Sequence, residues 1–362
     1  MPHGILSFLK ILVYLKCVDC ASDKELLQTI SFARQILGWA ELRPHEATIG
    51  RIITERLDIQ PRDEYERISL ESSHPVWYVH RVLSSFERDF ALKILTRNLE
   101  SVPTYFRMNT LRNSHAENWL SCASPVEGLS GVWRLNEGSK LSTLLRHVKS
   151  GEAVIQDLST IVAGLVASPK PGDLVLDLCA APGNKTSHLA AMMRNRGEII
   201  SVDLSTRRMI QWKKEMYRLG CSNVSPVVSD ASRLDFHTEA DLVLADPPCS
   251  NSGVFARNPC MKWRITPSYI QSLAFTQAMI LRSASKHVRV DGTLVYSTCS
   301  ILPEENEDVI GHFMRTNPEF KMEKQSPFLG LPGLKGFERF QRFYTHIQNC
   351  NGYFIAKLRR VA

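Results

Sequence analysis

Two cysteines and one aspartate stand in short segments whose composition suits covalent catalysis. Asp246 and Cys249 lie in ADPPCSNSG, and Cys299 lies in YSTCSILPEEN. The two prolines after Asp246 stiffen the chain and hold the carboxylate and the nearby thiol in fixed positions. A thiol beside an acid can attack an electrophilic carbon while the acid stabilises the charge that develops. The alternative interpretation is a stiff loop with packed cysteines, because free cysteine is usually a core residue.

A second segment, LVLDLCAAPGNKTSHLA (residues 174–190), has the pattern of a ligand-binding turn. It predicts an apolar strand over Leu174–Leu178, a turn of small residues over Cys179–Asn184 and a helix that opens at Lys185. A strand that feeds a helix N-terminus through a tight turn is a common cofactor site, so Asp177 and the backbone N–H groups of the turn are expected to face a ligand. The turn matches neither the dinucleotide fingerprint nor the P-loop.

Four acids lie at the ends of predicted strands and indicate which ligand the turn would hold. They are Asp177, Asp203, Asp230 and Asp246. Because strand carboxyl ends line one crevice, Asp203 is placed to accept the hydroxyls of a ribose and Asp230 the amine of an adenine. For either one alone, a turn residue or helix N-cap is the simpler interpretation. The ordered series favours an adenosyl ligand, and without phosphate motifs it predicts S-adenosylmethionine rather than a nucleotide.

A methyl donor beside a thiol indicates a particular reaction. Carbon 5 of a pyrimidine is a poor nucleophile, but a thiolate that adds to carbon 6 turns the ring into an enamine that can accept a methyl group at carbon 5. An acid near N3 and N4 stabilises the charge created by this addition, and a base must then remove the carbon 5 proton so that the thiolate can leave. Methylation of an exocyclic amine is the alternative, because it also uses Asp-Pro-Pro but needs no thiol.

These residues need a scaffold, and from about residue 151 the sequence predicts an α/β fold. Apolar strand-like and amphipathic helical segments alternate regularly, which is typical of a parallel sheet covered on both faces. The predicted strands are 174–178, 198–203, 224–229, 241–245, 292–297 and 352–358, and the predicted helices are 186–195, 206–219, 267–288 and 304–316.

Two smaller domains are expected before this sheet. Over 101–150, a strand-like pattern at Pro103–Leu111 and a short helix over Ala116–Leu120 predict a small α+β subdomain. Over 1–100, apolar residues recur at helical spacing, with Gly38 as a helix stop, so an N-terminal helical domain is predicted, and it is either purely structural or a module that binds RNA or protein.

Composition limits the partners. The chain has 362 residues and a net charge of +7, and residues 101–362 hold 31 of its 44 basic but only 23 of its 37 acidic residues, which suits a polyanionic partner. Nine scattered cysteines predict a reduced, cytoplasmic protein, and the pair Cys17 and Cys20 lacks the further ligands of a zinc site, so no metal is expected. The apolar N-terminal stretch is too short to cross a bilayer and is predicted to be a buried helix.

The segments LDLCAAPGNKT, VDLSTRR, ADPPCSNSGVFARNPCMKW, YSTCSILPEEN and NGYFIAKL together resemble the RNA cytosine-5 methyltransferases of the Nop/Sun family, which includes the bacterial small-subunit rRNA methyltransferase B. The resemblance runs from about His74 to the end. It implies a Rossmann-like S-adenosylmethionine methyltransferase domain over 151–362 with a mostly parallel seven-stranded sheet, behind the small subdomain and NusB-like helices. It also implies Cys299 as the nucleophile, Cys249 as the residue that releases the product, and Asp246 as the contact to the cytosine edge.

The resemblance implies a set of cofactor contacts as well. They are Cys179, Ala180, Ala181, Pro182, Gly183, Asn184, Lys185, Asp203, Arg208, Asp230 and Asp246. Asn184 replaces the second glycine of many members, which puts the geometry of this loop in question because glycine adopts positive φ more freely. Spacing alone does not choose between the thiols, since DNA cytosine-5 methyltransferases use the cysteine of a Pro-Cys pair, here Cys249.

The substrate stays open between two RNAs. The N-terminal helices favour rRNA, as in the rRNA enzymes that carry such a domain, whereas the archaeal-style tRNA enzymes lack it and the shortened domain here leaves tRNA as the alternative. A non-catalytic RNA-binding assembly factor is the hypothesis from another class, and the intact Cys249, Cys299 and Asp246 argue against it. A monomer without a membrane partner is expected.

Overall fold

The computed structural model describes residues 3–17, 21–55, 60–112, 120–139 and 141–362. They form two compact units, Met1–Val76 and Trp77–Ala362. The last two helices of the region 1–100 lie in the second unit, and the division into three domains stays a prediction. Residues 116–119 of the helix predicted at Ala116–Leu120, and Cys20 of the cysteine pair, lie outside the described residues.

The first unit is helical. It contains α1 (His3–Cys17), α2 (Asp23–Leu37), α3 (Trp39–Leu42), α4 (Glu46–Thr54) and α5 (Glu64–Ser72). The predicted N-terminal helix is confirmed, since α1 buries Ile5 and Leu12 in the core of this unit. Helix α2 ends at Gly38, as predicted, where φ is 82°. No helix among the described residues is long and apolar enough to cross a membrane. The NusB-like character stays a prediction.

The second unit opens with two helices and a small sheet. These elements are α6 (Val76–Ser85), α7 (Arg88–Arg97), β1 (Tyr105–Met108), β2 (Ala123–Pro125), β3 (Val132–Leu135), α8 (Leu141–Ser150) and β4 (Ala153–Ile155). The antiparallel sheet has the order β2-β3-β1-β4. Its last strand comes from beyond residue 150, where the sequence already predicts the catalytic domain.

A large mixed sheet follows. Its elements are α9 (Leu158–Ala167), β5 (Leu174–Leu178), α10 (Asn184–Met192), β6 (Glu198–Asp203), α11 (Thr206–Leu219), β7 (Val224–Val228), β8 (Ala240–Ala245), α12 (Pro267–Ser285), β9 (Val288–Thr298), α13 (Glu307–Thr316), β10 (Phe320–Met322), β11 (Leu331–Pro332), β12 (Gln341–Phe343), α14 (Thr345–Gln348) and β13 (Tyr353–Arg360). The strand order is β11-β12-β13-β9-β8-β5-β6-β7, and β10 also pairs with β13.

The predicted sheet of seven mostly parallel strands differs from the observed one in the number and the direction of its strands. Within the described residues this sheet has nine strands. Strands β5 to β9 pair in parallel, but β10 to β13 pair antiparallel at the other end of the sheet. The strands that sequence inspection missed, β10 to β12, are two or three residues long, which is too short to show a period of two.

The register gathers the chemical residues at one edge. Leu178 of β5 pairs with Val202 of β6 and with Ala245 of β8. Ala245 in turn pairs with Tyr296 of β9. The residues that follow these strands therefore share the carboxyl edge of the sheet, where ligands bind in α/β proteins. Because β13 runs antiparallel to β9, its first residues reach this same edge.

Candidate functional site

The loop between β5 and α10 forms one wall of a small cavity. Cys179 and Gly183 have positive φ, 65° and 112°, and the Ala180 N–H donates to the Val202 carbonyl over 2.9 Å. The cavity is about 100 Å³ and is lined by Thr160, Asp177, Cys179, Ala180, Ala181, Pro182, Asn184, Lys185 and Asp246. The structure thus gathers most of the predicted cofactor loop around one space.

Asn184 does not distort this loop. It is the first residue of α10, so the substitution of the usual glycine falls where the backbone is helical. Gly183, which caps the helix, is the position that needs positive φ. The absence of the usual glycine at position 184 therefore causes no backbone strain, because a helical position does not need positive φ.

We expect Gly183→Ala to lower the free energy of unfolding by about 2–3 kcal/mol. An added Cβ would lie 2.5 Å from Met216 Cε and 3.0 Å from Trp212 Cδ1, in a backbone conformation that L residues rarely adopt. Gly172→Ala is the matched control, because φ is 103° there and nothing lies within 4 Å of the added Cβ. Denaturant unfolding should show a loss of only about 1–2 kcal/mol for the control. Equal losses would mean that the steric contact adds nothing.

Asp177 presents an unsatisfied oxygen beside the cavity. Its side chain is 1% exposed, and its Oδ2 accepts a hydrogen bond from Thr186 Oγ1 over 2.5 Å. Among the described residues its Oδ1 has no hydrogen-bond partner. Burial raises the pKa of Asp177 to about 7, although Thr186 and Lys185 oppose this shift. A buried acceptor without a donor is costly, so a ligand that brings a donor would be stabilised here.

Asp203 supports the loop from below. Its Oδ2 accepts from the Ala181 N–H over 3.2 Å and lies 3.2 Å from Arg208 Nη1, and its Oδ1 accepts from the Ser205 N–H over 3.0 Å. The side chain is 2% exposed. Arg208 also donates to the Ala181 carbonyl. Both oxygens are engaged, so Asp203 holds the loop in place, and its contact with a ribose stays a prediction.

Asp230 is exposed at the end of β7. Its Oδ1 accepts from the N–H and the Oγ of Ser232, over 2.9 Å and 2.7 Å. These hydrogen bonds lower the pKa of Asp230 and make it the cap of a short 3₁₀ turn, Ala231–Arg233. Asp230 does not line the cavity. The N-cap interpretation is therefore confirmed, and the contact with an adenine stays a prediction.

Asp246 is held by three side chains at the far wall of the cavity. Lys185 Nζ donates to Oδ2 over 2.6 Å, and Ser297 Oγ and Tyr353 OH donate to Oδ1 over 3.1 Å and 3.0 Å. Burial disfavours the charged form of Lys185, but Asp246 and Tyr353 outweigh it and raise the pKa of Lys185 above its usual range. The carboxylate is thus held in place by one ammonium group and two hydroxyls.

Sequence inspection named Asp246 and Lys185 but missed Ser297 and Tyr353. Tyr353 lies in the quoted motif NGYFIAKL, so a polar hydroxyl at the start of the last strand was the available signal. The pairing of β13 with β9 brings it to Asp246 from 107 positions along the chain.

The two thiols are in contact. Cys249 Sγ lies 3.0 Å from Cys299 Sγ, and Cys299 Sγ donates to Asn251 Oδ1 over 3.0 Å. The Asn251 amide is oriented by its Nδ2, which donates to the Cys249 carbonyl over 3.1 Å. The hydrogen bond to Cys299, together with burial, raises the pKa of Cys249 well above its usual range.

The two thiols differ in their surroundings. Cys249 is 7% exposed and keeps its proton, whereas Cys299 is only partly buried. Cys249 can therefore donate a hydrogen bond to the sulfur of Cys299. The geometry suits Cys299 as the nucleophile and Cys249 as its proton-bearing neighbour.

Known proteins resemble this chain in sequence. Residues 164–359 match the family described as 16S rRNA methyltransferase RsmB/F. The chain is 32% identical over 313 residues to the probable ribosomal RNA small subunit methyltransferase B of Bacillus subtilis, which covers 82% of this chain and 69% of that protein. It is 39% identical over 218 residues to the tRNA (cytosine(72)-C(5))-methyltransferase of Pyrococcus horikoshii, which covers 60% and 54%. The chain thus spans about half to two thirds of the length of these relatives.

Two solved structures resemble this chain in fold. The crystal structure of PH0851 is 28% identical in sequence, has a TM-score of 0.86, and covers 97% of this chain and 81% of its own. The crystal structure of NSun6 from Pyrococcus horikoshii with SFG is 26% identical, has a TM-score of 0.72, and covers 78% of this chain and 97% of its own.

Proposed function

This chain belongs to the 16S rRNA methyltransferase RsmB/F family, and from this premise we propose that it transfers a methyl group from S-adenosylmethionine to carbon 5 of a cytosine in RNA through a covalent cysteine adduct. The observation that carries the proposal is the pair of thiols, 3.0 Å apart, at the sheet edge where Asp246 closes the cavity. Methylation of an exocyclic amine would need no such pair.

The residues around the cavity suit the methionine part of S-adenosylmethionine. The unpartnered Asp177 Oδ1 can accept from the ammonium of its methionine part, and the turn that Gly183 closes leaves the backbone open to a ligand. The NSun6 structure holds SFG, an analogue of this cofactor. When bound, the cofactor supplies an electrophilic methyl group. The cofactor residues are those lining the cavity, with Asp203 and Arg208 supporting the loop and Asp230 at its outer end.

The side chains of the protein divide the remaining work. Cys299 loses its proton to solvent and its thiolate adds to carbon 6, so that electrons move to carbon 5 and the N3–C4 edge. Asp246 accepts a hydrogen bond from the N4 amino group at that edge, and the Lys185 ammonium beside it stabilises the negative charge that arises there. After carbon 5 is methylated, water takes the proton from carbon 5, and the electrons of that C–H bond restore the ring double bond and break the bond between carbon 6 and sulfur. Cys249, which keeps its own proton, is assigned to this release step, in which its S–H group donates a hydrogen bond to the departing Cys299 sulfur.

The affinity for S-adenosylmethionine should depend on pH through Asp177. Because the pKa of Asp177 is about 7 in the free protein, the carboxylate that pairs with the ammonium is lost as the pH falls below 7. We expect the dissociation constant to rise by up to about tenfold per pH unit from pH 7 to 5.5 and to level off above pH 7. Calorimetry on the wild type and on Asp177→Asn checks this, since the variant should bind more weakly and without this slope. The same slope in the variant would assign the proton to another group.

We propose small-subunit rRNA as the substrate, with tRNA as the alternative. The rRNA relative aligns with 82% of this chain, against 60% for the tRNA relative, although the tRNA relative is more identical within that part. Purified protein with labelled S-adenosylmethionine should methylate small-subunit rRNA from cells that lack the modification. Bisulfite sequencing should then show one protected cytosine.

Other outcomes of this assay would indicate a different substrate or a different function. Protection in tRNA alone would make the protein a tRNA enzyme, and label without protection from bisulfite would indicate amine methylation. RNA binding without transfer of label would indicate a non-catalytic assembly factor and would overturn the proposal.

A further inference from the structure

Glu305 is a buried carboxylate between the two cysteine loops. It lies in the 3₁₀ turn Pro303–Glu305, and its side chain is 0% exposed. Its Oε1 accepts from the Ser250 N–H over 2.8 Å and from Gln277 Nε2 over 3.1 Å. Its Oε2 accepts from Ser250 Oγ and from Ser300 Oγ, each over 2.5 Å. Four donors therefore converge on one side chain.

The donors belong to both loops. Ser250 follows Cys249 directly, and Ser300 follows Cys299 directly. We propose that Glu305 is a positioning residue, whose carboxylate ties these neighbours together and so sets the distance between the two sulfurs. The consequence for methyl transfer rests on the proposed function, whereas the consequence for the sulfur distance does not.

The chemistry of the site requires acceptors at both oxygens. Ser250 Oγ already accepts from the Ser252 N–H over 3.3 Å, and Ser300 Oγ accepts from the Leu302 N–H over 3.1 Å. Their hydroxyl protons are therefore directed to Glu305. A glutamine at this position keeps one carbonyl oxygen but turns the other acceptor into a donor, and an alanine removes both.

Other contacts keep the loops together without Glu305. The Gly253 N–H donates to the Cys299 carbonyl over 2.9 Å, and the Ile301 N–H donates to Ser252 Oγ over 3.0 Å. The first of these bonds joins only backbone atoms, and the second involves neither Ser250 nor Ser300. Glu305 variants are thus expected to keep the loops adjacent while the serines, and the thiols beside them, lose their fixed position.

Disulfide formation measures the sulfur distance without RNA or cofactor. Under the azo compound diamide, two thiols give up two protons and two electrons and join, and the azo bond becomes a hydrazine. The sulfurs need to approach by only about 1 Å for this. We expect Glu305→Ala to slow formation of the Cys249–Cys299 bond, followed by mass spectrometry of linked peptides, by about tenfold or more, and Glu305→Gln to have a smaller effect.

Glu307→Gln is the matched control. Glu307 is an equally buried acid two positions along, and it pairs with Arg342 rather than with the cysteine loops. Its substitution should lower the melting temperature but leave the rate of disulfide formation unchanged. Equal rates in the wild type and Glu305→Ala, or the same slowing in Glu307→Gln, would overturn the inference.

A second measurement concerns methyl transfer. Glu305→Ala should lower kcat by about 10²-fold, with partial recovery in Glu305→Gln. The dissociation constant for S-adenosylmethionine should stay unchanged, because Glu305 does not line the cavity. If the wild type methylates no RNA while the disulfide rates follow the expected order, the proposed function fails and the positioning role stands. Unchanged kcat in Glu305→Ala would refute the role in catalysis.

Discussion

Replacing Cys299 by alanine should abolish the covalent RNA adduct and lower methyl transfer by about 10⁴-fold or more, because the proposed reaction activates carbon 5 of the cytosine through the bond from the Cys299 sulfur to carbon 6. Cys299 is the more accessible thiol of the pair, and its neighbour holds its own proton. The measurement is a single-turnover assay with labelled RNA, in which the adduct survives denaturing electrophoresis. A persistent adduct in Cys299→Ala would show that the nucleophile is wrongly assigned.

Cys249→Ala is the matched comparison, since it removes a thiol 3.0 Å away. This variant keeps the nucleophile but loses the residue assigned to release, so the adduct should accumulate while turnover stops. The opposite pair of results, with an adduct in Cys299→Ala and none in Cys249→Ala, would assign the attack to the Pro-Cys cysteine, as in DNA cytosine-5 methyltransferases.

Replacing Asp246 by asparagine is expected to lower kcat by about 10²–10³-fold. The amide keeps the shape of the side chain but removes the negative charge that Lys185, Ser297 and Tyr353 hold in place. It also leaves the Lys185 ammonium, whose side chain is 12% exposed, without its counter-charge. The loss should therefore appear in formation of the adduct as well as in turnover.

Asp241→Asn is the control for this variant. Asp241 lies on the same strand, β8, but does not line the cavity. Its Oδ1 lies 2.7 Å from Arg289 Nε. Its substitution should leave single-turnover rates within about twofold of the wild type, as is usual for a pair near the surface. If both variants lost activity in proportion to their melting temperatures, Asp246 would act on the fold rather than on the reaction.

Long elements with clear periodicity could be predicted from the sequence. The predictions for α11 and for strands β5 and β6 match the structure residue for residue, because their apolar faces repeat over several turns or alternate between polar ends. Within the predicted helical region 1–100, apolar residues recur at helical spacing from Val76 to Ile94, but the structure divides this stretch into α6 and α7 at residues 86–87. The apolar residues of both helices follow one continuous helical spacing, so the sequence pattern does not show the break between them.

The residues of the site could be predicted as far as they follow strand ends. Asp246 and Cys299 each follow a predicted strand, and parallel strands align their carboxyl ends at one edge. The sequence could not show that the two oxygens of Asp203 accept from the backbone of Ala181 and of Ser205, since this depends on the paths of two separate loops. It named Glu305 only as the start of a helix, because a buried acid reveals its partners only in three dimensions.

The position of Tyr353 gives the assembly of the site an order in time. A ribosome makes β5 to β9 before it makes β13, so a nascent chain carries Asp246 and both thiols while the hydroxyl of Tyr353 is still missing. Only insertion of β13 beside β9 completes the hydrogen bonds to Asp246. A fragment that stops short of this strand would carry the proposed nucleophile but would lack the hydrogen bond from Tyr353 to Asp246. We therefore expect the chain to become able to react only after β13 has been synthesised.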